Sequence, residues 1–342
     1  MNDRAVSVLE NYEIEVIRTW KGRGTMLCES DRGVLILKEY PGPKDKIIFQ
    51  DALLRNICGQ GFHLVETVLK TKEGELIAYD QDRTPYILKT YFEGRECNVR
   101  DMRECEQAVR TLAMLHKASE VKIQDFPGME HVSEFRIDKE YEKHNRELRK
   151  VRKFLKEKGQ KTNFEIFLLK HYDYFFNIAL QVAEEVRSYS EKKEEAREDT
   201  TCIICHGDYQ YHNILVDNSG KDDMAVINFE KCIRDNPVRD LYLFMRKLLE
   251  KNGWPQELGE LLLNAYNEER TMMQEDYSQL YYRLIYPEKF WKIVNFYYNS
   301  GKAWIPGRNM EKMEKLLAQE QEKIKFLENY KSTYGCFSFS QH

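Results

Sequence analysis

The 342-residue sequence has no uninterrupted apolar run of the roughly 18 residues or more that a bilayer-spanning helix needs. Its first residues, Met1-Asn-Asp-Arg-Ala5, lack the apolar core of a secretion signal, so synthesis and folding in the cytoplasm are expected. Neither sign of charge dominates: 53 Lys and Arg face 57 Asp and Glu, a net −4. That balance gives no global reason to expect nucleic acid or a membrane surface as partner. No internal repeat and no low-complexity segment breaks the chain. A disulfide framework is missing too. The eight cysteines (Cys28, Cys58, Cys97, Cys105, Cys202, Cys205, Cys232 and Cys336) are mostly scattered through apolar or helical stretches and read as reduced thiols. Cys202-Ile-Ile-Cys205 matches C-x-x-C but has no second pair nearby. Its apolar, β-branched run reads as a buried strand, and strand residues three apart point to opposite faces, which argues against a shared metal.

What remains is an ordinary globular composition, 42% hydrophobic and 32% charged, on a chain long enough for two lobes. The spacing predicts strands first. Tyr12-Glu-Ile-Glu-Val-Ile alternates, Gly33–Tyr40 is a strong strand, and Glu75–Tyr79 and Pro85–Phe92 are two more. Lys21-Gly-Arg-Gly-Thr25 marks a turn, and 45–58 is helical. From 101 onward helices dominate, with apolar positions such as Val109, Leu112, Ala113 and His116 sharing one face. His116 there reads as a satisfied core histidine. Residues 1–93 are expected to form a β-rich lobe and 94–342 a helical one.

The chemistry sits in His206-Gly-Asp208-Tyr-Gln-Tyr-His-Asn213, between an apolar strand and a second one, Ile214-Leu-Val. Phosphoryl transfer needs a carboxylate to take the acceptor's hydroxyl proton and a side-chain oxygen to hold the metal on the phosphates. Asp208 suits the first role and Asn213 the second, while Gly207 permits the turn between. A second metal carboxylate is expected after the strand Met224-Ala-Val-Ile, and Asn228 stands in its place. Magnesium prefers charged oxygen. Two unit charges about 4 Å apart at an effective dielectric of about 20 are worth about 4 kcal/mol, so the missing charge weakens metal binding roughly a thousandfold. Glu230, two residues along an expected strand and so on the same face, is the candidate substitute ligand. His206, between strand and turn, reads as a structural histidine bonding the loop backbone.

H-G-D-x-x-x-x-N followed by a strand resembles the aminoglycoside and choline kinase-like proteins, distant relatives of the protein kinases. Within that group the sequence resembles the CotS-type spore coat proteins. Glu93-Gly-Arg-Glu-Cys97, Leu112-Ala-Met-Leu-His116, Pro237-Val-Arg-Asp-Leu241, Tyr286–Lys292, Tyr297–Ser300 and Ala303–Pro306 carry the likeness, which runs over about 10–330. The resemblance implies an α+β, protein-kinase-like bilobal fold, with an antiparallel five-stranded N-terminal lobe and a mainly helical C-terminal lobe. It implies Lys38 on the α- and β-phosphates of ATP, a hinge at Thr90, Tyr91, Phe92 and Glu93 reading the adenine, and Asp240 bracing the catalytic loop. Two features depart from the pattern. The turn at 21–25 is not G-x-G-x-x-G, and no mid-helix glutamate in 45–58 meets Lys38; Asp45, Gln50 and Asp51 are imperfect substitutes.

Two functions stand at this point. One is a spore coat protein with a nucleotide-binding or degenerate kinase fold acting in coat assembly, with coat proteins as partners. The other is an active ATP- and Mg2+-dependent small-molecule phosphotransferase with Asp208 as base. The basic run 143–161 is either a solvated helix face or a docking surface for an anion or an acidic partner. The aromatic cluster Phe290, Trp291, Phe296, Tyr297, Tyr298 and Trp304 is either helical core or an acceptor pocket.

Overall fold

Strands β1 (Val16–Lys21), β2 (Met26–Ser30) and β3 (Gly33–Glu39) form an antiparallel meander in which buried and outward residues alternate. This computed structural model describes residues 6–22, 25–124, 126–195, 200–217, 223–299 and 306–335. Helix α1 (Lys44–Gly59) follows, then the short strands β4 (Val68–Leu69) and β5 (Ala78–Tyr79), then β6 (Pro85–Thr90). The sheet runs β1-β2-β3-β6-β4 with β5 beside β6, six strands rather than the expected five. Neither β2 nor β4 is among the stretches that the spacing predicts as strands; the two residues of β4 pair with Lys89 and Leu88.

Both faces of this sheet are covered, which is why β6 reads as a near-continuous apolar run. Leu35, Leu37, Tyr86 and Leu88 pack with Val8, Leu9 and Tyr12 on one face. Tyr12 is committed to that cluster, so the first strand starts at Val16 and not at Tyr12. Ile87 packs with Ile47 of α1, Val68 and Ile77 on the other face. Lys38 lies opposite Ile87, and Lys89 opposite Ile36. Cross-strand partners share a face, so both lysines project on the α1 side.

The chain divides into two compact units: the described parts of 1–134, 199–243 and 264–270, and those of 135–198, 244–263 and 271–342. The first contains the sheet, α2 (Met102–Ala118) and two three-stranded antiparallel sheets. One is β7 (Arg95–Glu96), β10 (Ile214–Val216) and β11 (Met224–Val226); the other is β8 (Glu120–Lys122), β9 (Thr201–Cys205) and β12 (Ile233–Arg234). The loop 206–213 joins β9 to β10, and the turn 227–232 joins β11 to β12, so one pair of sheets fixes both.

The second unit is built on α3 (Ile137–Glu157) and α4 (Asn163–Glu195). Thr162 and Glu165 open α4 with reciprocal bonds: the Thr162 N–H donates to the carboxylate (2.8 Å) and the Glu165 N–H to the hydroxyl (3.3 Å), a capping box. Phe290 is fully buried and stacks on Phe175, so it is core, whereas Trp291 is half-buried, stacked on His144 with its Nε1–H donating to Glu147. Phe296 is half exposed, and Trp304 lies outside the described residues. In the basic run, Lys158 pairs with Glu165 (2.8 Å) and Arg152 with Asp173. Among the described residues no helix is long and apolar enough to cross a membrane. The seven described cysteines are free thiols; Cys336 lies outside them.

Candidate active site

Backbone geometry explains the loop's glycine. Gly207 has φ +79°, and a Cβ there would stand 2.0 Å from the carbonyl oxygen of Lys231. Only glycine tolerates both conditions. The loop is tied down from helix α5 (Val238–Asn252), which opens on Asn236-Pro237: the Asn236 Oδ1 accepts the Val238 N–H at 3.0 Å, and proline occupies the next position. In the first turn of α5 sits Asp240, wholly buried. Its Oδ2 accepts the His206 N–H (2.6 Å) and its Oδ1 the Gly207 N–H (2.9 Å). His116 Nε2 adds a third contact at 3.2 Å, and the other ring nitrogen of His116 meets the Tyr266 hydroxyl at 2.7 Å. Burial alone would raise the pKa of Asp240. The His116 hydrogen bond and the neighbouring His206 and Arg239 outweigh it and hold the carboxyl below its ordinary value. His206 Nδ1 accepts the Asp208 N–H (3.2 Å), so Nε2 carries the proton and donates to the Ile227 carbonyl (2.9 Å).

Beyond this brace lie the groups that would touch reactants. Asp208 is engaged at both oxygens: Oδ1 accepts from Gln210 Nε2 (2.7 Å) and Oδ2 from Lys231 Nζ (2.8 Å). Asn213, buried, donates to the Asp208 carbonyl (2.8 Å), and its Oδ1 accepts a hydrogen bond from Asn228 Nδ2 (2.9 Å). Asn228 itself adopts φ 68° and ψ 58°, the left-handed region that asparagine and aspartate tolerate best after glycine.

The strand expected through residue 230 is not formed. The left-handed Asn228 breaks it, and Phe229–Lys231 form a 3-10 turn, so Glu230 does not share a strand face with Asn228. Glu230 turns instead to the sheet. Its Oε1 accepts from Lys38 Nζ (2.7 Å) and Lys89 Nζ (3.1 Å). Lys89 also donates to Glu66 Oε2 (2.8 Å), and Glu66 Oε1 accepts the Phe229 N–H (3.1 Å). Side-chain exposure is 1% for Lys89 and 2% for Glu66, a sealed ion pair. Burial by itself would raise the Glu230 pKa, but the two ammoniums pull it down to about 2. Burial would lower that of Lys89, and Glu66 and Glu230 together raise it above its ordinary value. The partner of Lys38 is therefore Glu230 and not a residue of α1. Asp51 pairs with Arg55 (2.9 Å), Asp45 is exposed, and the buried amide of Gln50 has no hydrogen-bond partner among the described residues. Thr90 closes β6, its hydroxyl accepting the Thr67 N–H (2.9 Å). The Tyr91 N–H donates to Val34 (3.2 Å), and Phe92 and Glu93 continue without regular structure.

A family model described as "Spore coat putative kinase YutH" matches residues 6–330. The chain belongs to this spore coat family. Solved structures share the fold at low identity. An aminoglycoside phosphotransferase from Alicyclobacillus acidocaldarius is 18% identical with a TM-score of 0.79, covering 96% of each chain. Spectinomycin phosphotransferase APH(9)-Ia, in complex with ADP and spectinomycin, is 15% identical with a TM-score of 0.62, covering 93% of this chain and 97% of its own. The amicoumacin kinase hAmiN, with AMP-PNP, Ca2+ and Ami, is 11% identical with a TM-score of 0.56, covering 95% and 92%. The resemblance to aminoglycoside phosphotransferase-like proteins thus holds for the fold.

In this YutH-family chain the donor set does not fit a magnesium ion. A hard dication wants several charged oxygens. Asn213 Oδ1 already accepts from Asn228, both oxygens of Asp208 are engaged, and Glu230 is drawn to two ammoniums. Among the described residues, the one cluster of three His, Cys, Asp or Glu donors is His116, Cys205 and Asp240, which belongs to the brace and contains neither Asp208 nor Glu230.

Three residues of the site escape a reading by motif: Lys89, Glu66 and Lys231. Two leave a trace in the sequence. A lysine inside Tyr86-Ile-Leu-Lys89 and a glutamate inside Leu64-Val-Glu66-Thr-Val68 are charges within apolar strand-like runs, and a buried charge demands a partner. Lys231 leaves none, since an exposed lysine in a turn is commonplace.

Proposed function

We propose that this chain is a nucleotide-binding, kinase-like spore coat component acting in coat assembly, in which metal-dependent phosphoryl transfer is weakened or lost. The observation that carries this reading is the amide pair: the side chain of Asn228 is hydrogen-bonded to the very oxygen of Asn213 that would ligate a metal. Nucleotide binding is supported by Lys38 at the end of β3 and by the stretch Thr90–Glu93. The N–H groups of Phe92 and Glu93 have no hydrogen-bond partner among the described residues and are available to an adenine edge. ADP in the spectinomycin phosphotransferase complex and AMP-PNP with Ca2+ in the amicoumacin kinase complex point to ATP for this fold. The functional lobes are then 1–93 and 94–342, with Asp208 as the residual base position, Asn213, Asn228 and Glu230 the remnant of the metal position, and His206 and Asp240 its support.

The other reading, an ATP- and Mg2+-dependent phosphotransferase with a small-molecule acceptor, requires Glu230 to leave both lysines and Lys231 to leave Asp208. Thermal melts with ATP, with and without Mg2+, separate the two. A ligand at a hundredfold excess over Kd stabilises by about 2.7 kcal/mol. Stabilisation by ATP that does not need Mg2+ supports the proposal, a strict metal requirement supports the enzyme, and no stabilisation removes nucleotide from the function. The family description supports the spore coat as destination after cytoplasmic synthesis, with coat proteins as partners; a fluorescent fusion that stays dispersed in sporulating cells would contradict this.

A further inference from the structure

Three ammonium groups meet three carboxylates around the catalytic loop: Lys89 with Glu66, Lys38 with Glu230, and Lys231 with Asp208. The first pair is sealed. The other two are open to solvent, with side-chain exposures of 32% and 24% for Lys38 and Glu230, and 69% and 19% for Lys231 and Asp208. Ion pairs in reach of water hold weakly, so an incoming anion can draw both ammoniums from their carboxylates. Lys231 is not a loosely tethered charge. It ends the 3-10 turn, and its carbonyl lies over Gly207 so closely that no Cβ fits between, which fixes its backbone against the loop.

We propose that Lys231, together with Lys38, supplies the positive charge that a divalent ion would otherwise bring to the polyphosphate of a nucleotide. The ligand is metal-free ATP or ADP, and Mg2+ weakens its binding. This rests on the nucleotide-binding reading and goes further in naming the cation and the sign of the metal effect. Magnesium on the phosphates lowers the ligand's charge by two and occupies oxygens the ammoniums would use. In return it meets a neutral amide pair, Asn213 with Asn228, while Glu230 keeps the ammonium of Lys89 and Asp208 keeps the amide of Gln210. Attraction is removed and none is added. A carboxylate at 228 reverses that balance.

Titration calorimetry with ATP and ADP, first in EDTA and then with excess MgCl2, tests the proposal on the full chain. The native protein is expected to bind in EDTA and to lose several-fold in affinity with MgCl2. Lys231→Gln is expected to weaken binding in EDTA about tenfold, the loss of one charge-assisted hydrogen bond, while Lys231→Arg keeps most of it. Asn228→Asp is expected to turn the effect of MgCl2 from weakening to tightening. The Lys231 side chain is largely exposed, so its replacement leaves the fold intact, which an unchanged melting temperature confirms. Tighter binding with MgCl2 in the native protein, or equal affinity of Lys231→Gln, overturns the proposal while leaving nucleotide binding in place. No binding of either nucleotide under either condition overturns both.

Discussion

The Asp240 end of the catalytic loop and the Asn228 end are held by the same small sheets, yet their polar groups are used in opposite ways. At the Asp240 end a buried carboxylate receives two backbone N–H groups and a histidine, an arrangement in which each donor has an acceptor. At the Asn228 end the side chains bond to one another in pairs, amide to amide and ammonium to carboxylate. The first end gives a loop of fixed shape. The second leaves little unspent charge for a dication. The groups that fix the loop's shape are thus distinct from the groups at the expected metal position.

The largest expected effect falls on the brace. Asp240→Ala strands the buried His206 N–H, the part-buried Gly207 N–H and the His116 contact, at about 5 kcal/mol. Urea denaturation reads this as a lowered midpoint at unchanged slope; a cost under about 1 kcal/mol would mean the loop holds itself. Next comes the sealed pair. Lys89→Met leaves Glu66 buried without a counter-charge and should destabilise by roughly 3–4 kcal/mol. Adding Glu66→Leu should restore part of that loss, and a strictly additive double variant would show that the two residues do not act together.

Smaller and dependent on pH is Glu230. Its folded pKa of about 2 lies below the ordinary 4.5. A depressed carboxyl stabilises fully above the ordinary value and loses that contribution as pH falls from 4.5 toward about 2. Protonation costs up to roughly 3 kcal/mol across that window. Melting temperatures across it should fall more steeply for the native chain than for Glu230→Gln, and parallel curves would break the link between Glu230 and the two lysines. Least in stability is Asn228→Asp, expected at about 1–2 kcal/mol: the left-handed backbone accepts either residue, but a carboxylate cannot donate to Asn213 Oδ1. Its change should register in metal affinity as well, measured by Mn2+ binding in the presence of ATP.

Much of this was legible in the sequence. Alternation in Gly33–Tyr40, the apolar run Pro85–Phe92 and the loop 206–213 between two short strands are readable there, because local pattern determines local structure. The pairing of Lys38 with Glu230, 192 residues away, was not, since no periodicity carries a contact of that span. The strand expected through Glu230 failed on a single residue: a left-handed asparagine ends alternation, and asparagine is compatible with both outcomes. The brace was legible from Asp240 but not from His116, whose apolar helical face conceals that one ring nitrogen meets a carboxylate.

The turn at 228 has one more consequence. Its backbone shape is set by a residue class that contains both the neutral amide and the acid, and their codons differ by one base. A carboxylate can enter this position without reshaping a single peptide plane, so under the proposed reading the charge at the metal position turns on an exchange of one nitrogen for one oxygen and not on a change of architecture.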